Sequence, residues 1–270
     1  MRFILLFLKN LFIRYPKPFS CKNLDILVNG PSLKSDLKKY IKGNHKILVV
    51  NQFVKNNSFQ RLRPDYYLIQ DPYFWDINVK GHWSEKREST IKLLNSDVNW
   101  DMLLILPNTA KNFFDKRIKN SNINISYFKE VPLPKYYKNK YSYNKLGRFL
   151  LDRNLISISN SNVLLTAIYI GLFSDSEHIS VYGADMSFFK TLSVNQKNNR
   201  VGINEEHFYG DEFFEISNSK KVFKRTYLSN QLSKWAEIFR EFERLSNYAD
   251  KRGIKIFNKS SYSLIDSLKR

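Results

Sequence analysis

LDILVNGPSLKSDLKK, residues 24–39, carries the reading that decides the fold. Leu24 to Val28 is a short, mostly apolar run of the length of a buried strand. Asn29-Gly30-Pro31-Ser32 follows as a tight turn, and Leu33 to Lys42 reads as a helix. Strand, turn and helix in direct succession form the repeating unit of an α/β sheet. In the turn, Gly30 lets backbone approach a ligand, Ser32 can cap, and the helix amino terminus offers amides to a phosphate. One glycine and one capping serine also end many strands that bind nothing, so the turn alone leaves both readings open.

Outward from this unit the same rhythm continues. Further strand candidates are Lys46 to Val50, Asp65 to Ile69, Met102 to Leu106, Ile123 to Tyr127, His178 to Val181 and Ile254 to Phe257. Ser84 to Leu94, Ser161 to Leu172 and Leu228 to Lys251 read as helices, the last with Leu232, Trp235, Ile238, Phe239 and Phe242 along one face. The alternation predicts an α/β fold, a Rossmann-like, mostly parallel sheet with helices on both faces. The second strand runs into Asn51 and Gln52, whose amides can read a base or ribose, or simply satisfy the turn. Residues 187–226 are polar and charged and break the rhythm after a strand expected to end at Asp185. So long a connection is uncommon unless it covers a site, and it is expected as a lid over the carboxyl edge of the sheet. Residues 21–270 are expected to form a single domain that includes this lid.

The opening MRFILLFLKNLFIRYPKPF is apolar and basic, but Lys9 and Arg14 interrupt it well short of the roughly 20 apolar residues of a membrane span. Residues 1–20 are therefore expected as a short helix lying in a membrane interface, with a helix docked on the protein's own core as the alternative. Over the whole chain, 43% apolar residues can fill a sizeable core, which excludes a disordered chain. The 44 Lys and Arg against 25 Asp and Glu leave +19, which favours nucleic acid, an anionic membrane surface, or a phosphate-bearing sugar donor and glycolipid. A basic nucleic-acid-binding protein is the competing class, and a noncatalytic membrane scaffold the third; no recognised nucleic-acid motif occurs. Cys21 is the only cysteine, which excludes an intrachain disulfide and fits a reducing compartment. P-loop, GxSxG and HExxH patterns are absent, as is a clear DxD pair or metal-ligand cluster, so a metal need not bridge a diphosphate and no cofactor is expected.

Several blocks form a pattern when taken together: ILVNGPSLK at 26–34, VVNQF at 49–53, Asp71-Pro72, SNSNVLLTAIYIGLF at 159–173, VYGADMSFF at 181–189 and EEHFYG at 205–210. Their order and spacing over about residues 24 to 210 resemble the bacterial sialyltransferases that use CMP-sialic acid, of the lipooligosaccharide type. The resemblance implies an inverting, metal-independent glycosyltransferase that moves sialic acid or a related sugar from a CMP-sugar to a hydroxyl of a surface glycan or glycolipid. It implies a cytoplasmic enzyme, peripheral on the inner face of the membrane, and leaves open a homo-oligomer. It sets Asn29 and Gly30 near the nucleotide phosphate, with Ser32 in the same turn. Asn51 and Gln52 fall near the nucleotide, and Asp71 stands where the family has an asparagine. Asn160 and Ser161 match a Thr-Ser pair at a helix start that contacts cytidine and ribose, and Gly183 and Asp185 match a strand-end block beside the base. His207 matches the lid histidine that serves as general base, a role an imidazole can fill near neutral pH. Glu205, Glu206 and Asp185 are the next candidates for that base. The chain departs from the family in one respect. Two tyrosines that steady the departing phosphate in the family have no counterpart directly after Asp185, where Ser187, Lys190 or Arg200 could supply a donor instead. That departure leaves room for a CMP-Kdo or another nucleotide-sugar transferase.

Overall fold

In the central strands of the main sheet, side chains alternate between two cores, as the two-residue period of extended backbone requires. Leu24, Ile26, Val28, Leu48 and Val50 enter one core, and Leu27, Ile47 and Val49 enter the other. A computed structural model describes residues 19–128, 149, 151–152, 161–195, 199–207, 210–215 and 227–270. The expected interfacial helix, apart from residues 19 and 20, and Asn160 lie outside the described residues. Phe19 itself stacks on Tyr66 with ring centroids 3.7 Å apart.

Seven parallel strands form the main sheet: β1 (Asn23–Leu27), β2 (Lys46–Val50), β3 (Tyr66–Leu68), β4 (Met102–Pro107), β5 (Ile123–Phe128), β6 (His178–Tyr182) and β10 (Lys255–Asn258), in the order β10-β6-β1-β2-β3-β4-β5. The fold class read from the sequence is therefore the observed one. The chain first winds outward from β1 through β5, then returns to lay β6 on the other side of β1. This reversal makes the carboxyl ends of β1 and β6 the topological switch point, where open α/β sheets bind ligands. On the β2–β5 side, α1 (Leu33–Lys39), α2 (Phe59–Leu62), α3 (His82–Asp97) and α4 (Lys111–Arg117) contribute Leu33, Phe59, Leu62, Ile91, Leu94 and Phe114 to one core. On the opposite face, α5 (Val163–Leu172) lies against the sheet and α6 (Leu228–Lys251) packs upon α5. Nearly all of α5 is buried because it is covered on both sides, which explains its apolar sequence.

The structure alters several sequence boundaries. The helix after β1 stops at Lys39, because Tyr40 turns extended and donates its hydroxyl to the buried carboxylate of Asp25 at 2.8 Å. The α3 helix is longer than expected, and α2 and α4 were not expected at all. Leu232, assigned to the apolar face of α6, is 47% exposed, whereas Trp235, Ile238, Phe242 and Leu245 are buried. The strand before the expected lid ends at Tyr182, not at Asp185. Within residues 187–226 the described residues form the short 3-10 helix Phe188–Thr191 and a separate antiparallel sheet: β7 (Leu192–Asn195), β8 (Arg200–His207) and β9 (Gly210–Glu215). Among the described residues, no helix is long and apolar enough to cross a membrane.

Candidate functional site

The blocks singled out in the sequence lie far apart along the chain, yet the topology gathers them. Asn29 follows β1, Asn51 follows β2, Asp71 follows β3, and Gly183 to Ser187 follow β6, all at the carboxyl edge of the sheet. Two side chains tie these ends together in a row. Asn29 donates through Nδ2 to the carbonyl oxygen of Val50 at 3.1 Å, bridging β1 to β2. Asn51 donates through Nδ2 to Asp71 Oδ2 at 2.7 Å, bridging β2 to β3, and its Oδ1 accepts the amide of Gln70 at 3.2 Å. The remaining amide oxygen of Asn29 is shielded from solvent and has no hydrogen-bond partner. Buried acceptors are usually paired, so this one marks the end of β1 as a place where the protein alone does not complete its bonding.

Two of the five described non-glycine residues with positive φ lie at the same edge. Asn51 has φ +48° and Met186 has φ +53°, in the left-handed region that non-glycine residues rarely occupy. Such conformations cost about 1–3 kcal/mol each and persist where surrounding contacts fix them, often at ligand sites. The contacts around Asn51 are numerous: Tyr67 donates its hydroxyl to the Asn51 carbonyl oxygen, and the same hydroxyl accepts the Val54 amide at 3.0 Å.

The NGPS turn behaves differently from its sequence reading. The Gly30 amide donates to the Gly183 carbonyl at 3.0 Å, Pro31 has no amide hydrogen, and the Leu33 amide returns to Gly30 at 3.1 Å. The Ser32 amide donates to both oxygens of Asp185, at 3.2 and 3.1 Å, and its hydroxyl donates to Asp185 Oδ2 at 2.7 Å. Every amide from 30 to 33 is thus taken, and none is left for a phosphate. Ser32 stands at the N-cap of α1 without a side-chain capping bond. The space beside Gly30 is also filled: a β-carbon there would overlap Asp185 Oδ2 and the Gly183 carbonyl oxygen. Gly183 has φ +67°, and a β-carbon on it would lie 2.6 Å from the Val28 carbonyl oxygen and 2.9 Å from Leu33 Cβ. Both glycines therefore let β1 and β6 turn against each other, a packing role that by itself requires their small size.

Asp185 is the centre of this packing and is only 4% exposed. Its carboxyl is held above the usual carboxylate range, chiefly because burial strips its hydration, with a further push from the charge of Asp36. Asp36 in turn accepts the Gly183 amide and the Ser261 amide, both at 2.8 Å, and so links α1, the β6 turn and the segment after β10. Gln52 is equally internal: 2% exposed, it donates to the Tyr73 hydroxyl at 2.8 Å and accepts from Lys55 Nζ at 2.9 Å.

Of the sequence-derived residues, Asn29, Gly30, Asp71 and Ser187 are half-buried and Ser161 is exposed. Helix α5 begins at Val163 rather than Ser161, and its cap is Asn162, which accepts the Leu164 amide at 2.8 Å and donates to the Met186 sulfur at 3.7 Å. Asn162 was missed, although an asparagine just before an apolar helical run is a recognisable cap signal. It brings the amino end of α5 beside the β6 turn. His207 ends β8, with Gly210 of β9 as its register partner. Because β8 runs back along β7 and packs against the Phe188–Thr191 turn, its carboxyl end returns toward the β6 edge. Among the described residues, no group of three or more His, Cys, Asp or Glu could hold a metal ion. His45, just before β2, pairs with buried Asp25 within β1 at 3.1 Å, away from the carboxyl ends of those strands. No protein-family model matches this chain, and no curated protein matches it in sequence.

Proposed function

We propose that this chain is an inverting glycosyltransferase that moves sialic acid or a related sugar from a CMP-sugar to a hydroxyl of a glycan or glycolipid acceptor. The observation that carries the reading is the gathering of dispersed blocks, NGPSLK, NQF, Asp71-Pro72, Ser161-Asn162 and GADMS, at neighbouring strand and helix ends along one sheet edge. These are the blocks on which the sialyltransferase resemblance rests, and the edge includes the switch point between β1 and β6. In this reading Asn29, Asp71, Ser161 and Ser187 face the nucleotide. A carboxylate such as Asp71 is an acceptor suited to ribose hydroxyls. Asn51, Gln52, Ser32, Gly183 and Asp185 hold the strand ends in place behind them.

His207 takes the acceptor proton as that oxygen attacks the anomeric carbon, and CMP leaves from the opposite face. The +19 charge suits an anionic membrane surface and phosphorylated acceptors, and supports a peripheral location on the cytoplasmic face. The test is a thermal-shift screen against CMP, UDP, GDP and their sugars, CMP-Kdo included, followed by measurement of CMP release with glycan acceptors. Selective stabilisation by CMP compounds is expected, since a ligand that binds only the native state raises stability by mass action. Equal shifts with all nucleotides, or none, would remove the CMP-sugar reading.

A further inference from the structure

We infer that the loop between α1 and β2, with Ile41 exposed among lysines, is the surface by which this protein docks on an anionic lipid bilayer. The inference gives the peripheral location proposed above a definite surface, and it does not depend on which reaction the candidate site performs.

Ile41 is 86% exposed, more than any other large apolar side chain among the described residues. Exposed apolar residues are ordinary when they occur singly, so the surroundings decide. Ile77, the next most exposed, lies between Asp76 and Asn78, whereas Ile41 follows Lys38 and Lys39 and precedes Lys42. The turn before β3 adds to this charge, because Lys42 donates through Nζ to the carbonyl oxygens of Leu62 and Arg63 at 3.2 and 3.3 Å. Over residues 38–46 and 61–65, six Lys and Arg stand against one carboxylate, Asp65, which pairs with Lys46 at 2.7 Å and Lys42 at 3.7 Å. Lys38, Lys39 and Arg61 are exposed and make no ion pair among the described residues.

The loop is held at both ends. Tyr40 donates its hydroxyl to the buried carboxylate of Asp25 at 2.8 Å, and His45 Nδ1 pairs with the same carboxylate at 3.1 Å. Between them residues 41–44 are all exposed, and the Gly43 amide closes onto the Ile41 carbonyl at 3.0 Å. A loop fixed in this way to β1 has little freedom left to lose on docking.

An anionic bilayer fits both features of the loop. Its headgroups attract cations close to the surface, and its acyl boundary accepts an aliphatic side chain. A nucleic acid would use the cations, through its phosphates, but offers little to an exposed isoleucine. The start of the described chain points to the same place. Phe19 stacks on Tyr66, the first residue of β3, which follows directly on the Arg63 to Asp65 turn that Lys42 touches. The apolar and basic sequence of residues 1–18 therefore joins the domain at this amino edge of the sheet. The candidate site, at the carboxyl ends of the same strands, stands clear of the bilayer by about 17 Å, the length of a strand such as β1 or β2.

The test is binding of the full chain to vesicles, read by co-sedimentation. The parent is expected to bind vesicles of equal parts phosphatidylglycerol and phosphatidylcholine at least about 10-fold more tightly than vesicles of phosphatidylcholine alone. Lys38→Gln/Lys39→Gln should weaken binding to the anionic vesicles by about 10- to 30-fold, at roughly fivefold for each cation near the surface. Ile41→Ser should weaken it by about 5- to 20-fold, the loss expected when part of an isoleucine side chain no longer enters the acyl boundary. Lys190→Gln/Lys259→Gln removes the same charge beyond the carboxyl ends of β6 and β10, more than a Debye length away, and should change binding by no more than about twofold. Unchanged binding in either loop variant would overturn the assignment, as would a loss in the Lys190→Gln/Lys259→Gln control equal to that of the lysine pair. If the lysine pair alone matters and its loss weakens binding to duplex DNA equally, the loop is a nucleic-acid surface and the assignment fails. A parent that binds neither kind of vesicle would overturn the docking surface and the peripheral location together, leaving the CMP-sugar reading to its own ligand screen.

Discussion

Replacing Gly30 with alanine separates two explanations of the NGPS turn. If Gly30 is small to admit a ligand, Gly30→Ala folds normally and loses binding. If it is small because Asp185 and Gly183 occupy the space, the variant loses stability instead. The geometry favours the second, because the new β-carbon would overlap a carboxylate oxygen and a backbone carbonyl oxygen. The carbonyl cannot swing away cheaply, since it holds the Gly30 amide at 3.0 Å. Moving the carboxylate disturbs the Ser32 amide and hydroxyl bonds to Asp185. A neutral hydrogen bond is worth about 1 kcal/mol and one to a charged group about 1.5–3 kcal/mol. The turn can relax by giving up the first and one or two of the others, which puts the expected loss at about 3–5 kcal/mol. That is a large part of the roughly 5–15 kcal/mol of a typical domain. Urea unfolding followed by tryptophan fluorescence measures it, with Gly43→Ala as the control. No heavy atom lies within 4 Å of a β-carbon at Gly43, so that variant should stay within about 0.5 kcal/mol of the parent. A Gly30→Ala protein within about 1 kcal/mol of the parent, well under the estimate from lost bonds, would refute the packing argument.

Asp185→Asn should flatten the acid side of the stability profile. The raised carboxyl of Asp185 takes up a proton in the native state before it does so unfolded. Its contribution therefore grows as pH falls through that raised value and is lost as pH rises through it. The parent should gain stability relative to the variant between neutral pH and pH about 4, near the ordinary aspartate value, and a difference independent of pH would contradict the burial argument. Asn51→Ala should destabilise by about 1–3 kcal/mol, because alanine at φ +48° is strained and the bonds to Asp71 and Gln70 are lost; Asn51→Gly, free of the strain, should be the milder change in urea. His207→Ala should lower turnover by about 100-fold or more and change CMP affinity little, with the parent's rate rising as imidazole loses its proton. Alanine-variant turnover within about threefold of the parent, far below a general base's usual contribution, would move the base to Glu205 or Glu206.

The sequence by itself determined the alternation of strands and helices. Short apolar runs such as KILVV and the apolar stretch VLLTAIYIGL can be buried only as sheet and covered helix, and a period of two or 3.6 residues is a local property. It also marked most of the residues that end up along the carboxyl edge, because strand-end turns carry their own composition. The short helices α2 and α4 were hidden by their length and by charged residues within them, and the β7–β9 sheet by the polarity that made the segment read as a lid. Only the tertiary structure decided which polar groups are spent internally. Ser32 and Asp185 are 153 residues apart in the chain, so no local pattern could show that the carboxylate of one closes the turn of the other. The same holds for Lys190 and Tyr262, joined across the edge by the placement of β6 beside β1 and β10 beside β6. Strand order depends on which long-range burial is most favourable for the whole chain, and that free energy belongs to the assembled sheet rather than to any segment of it.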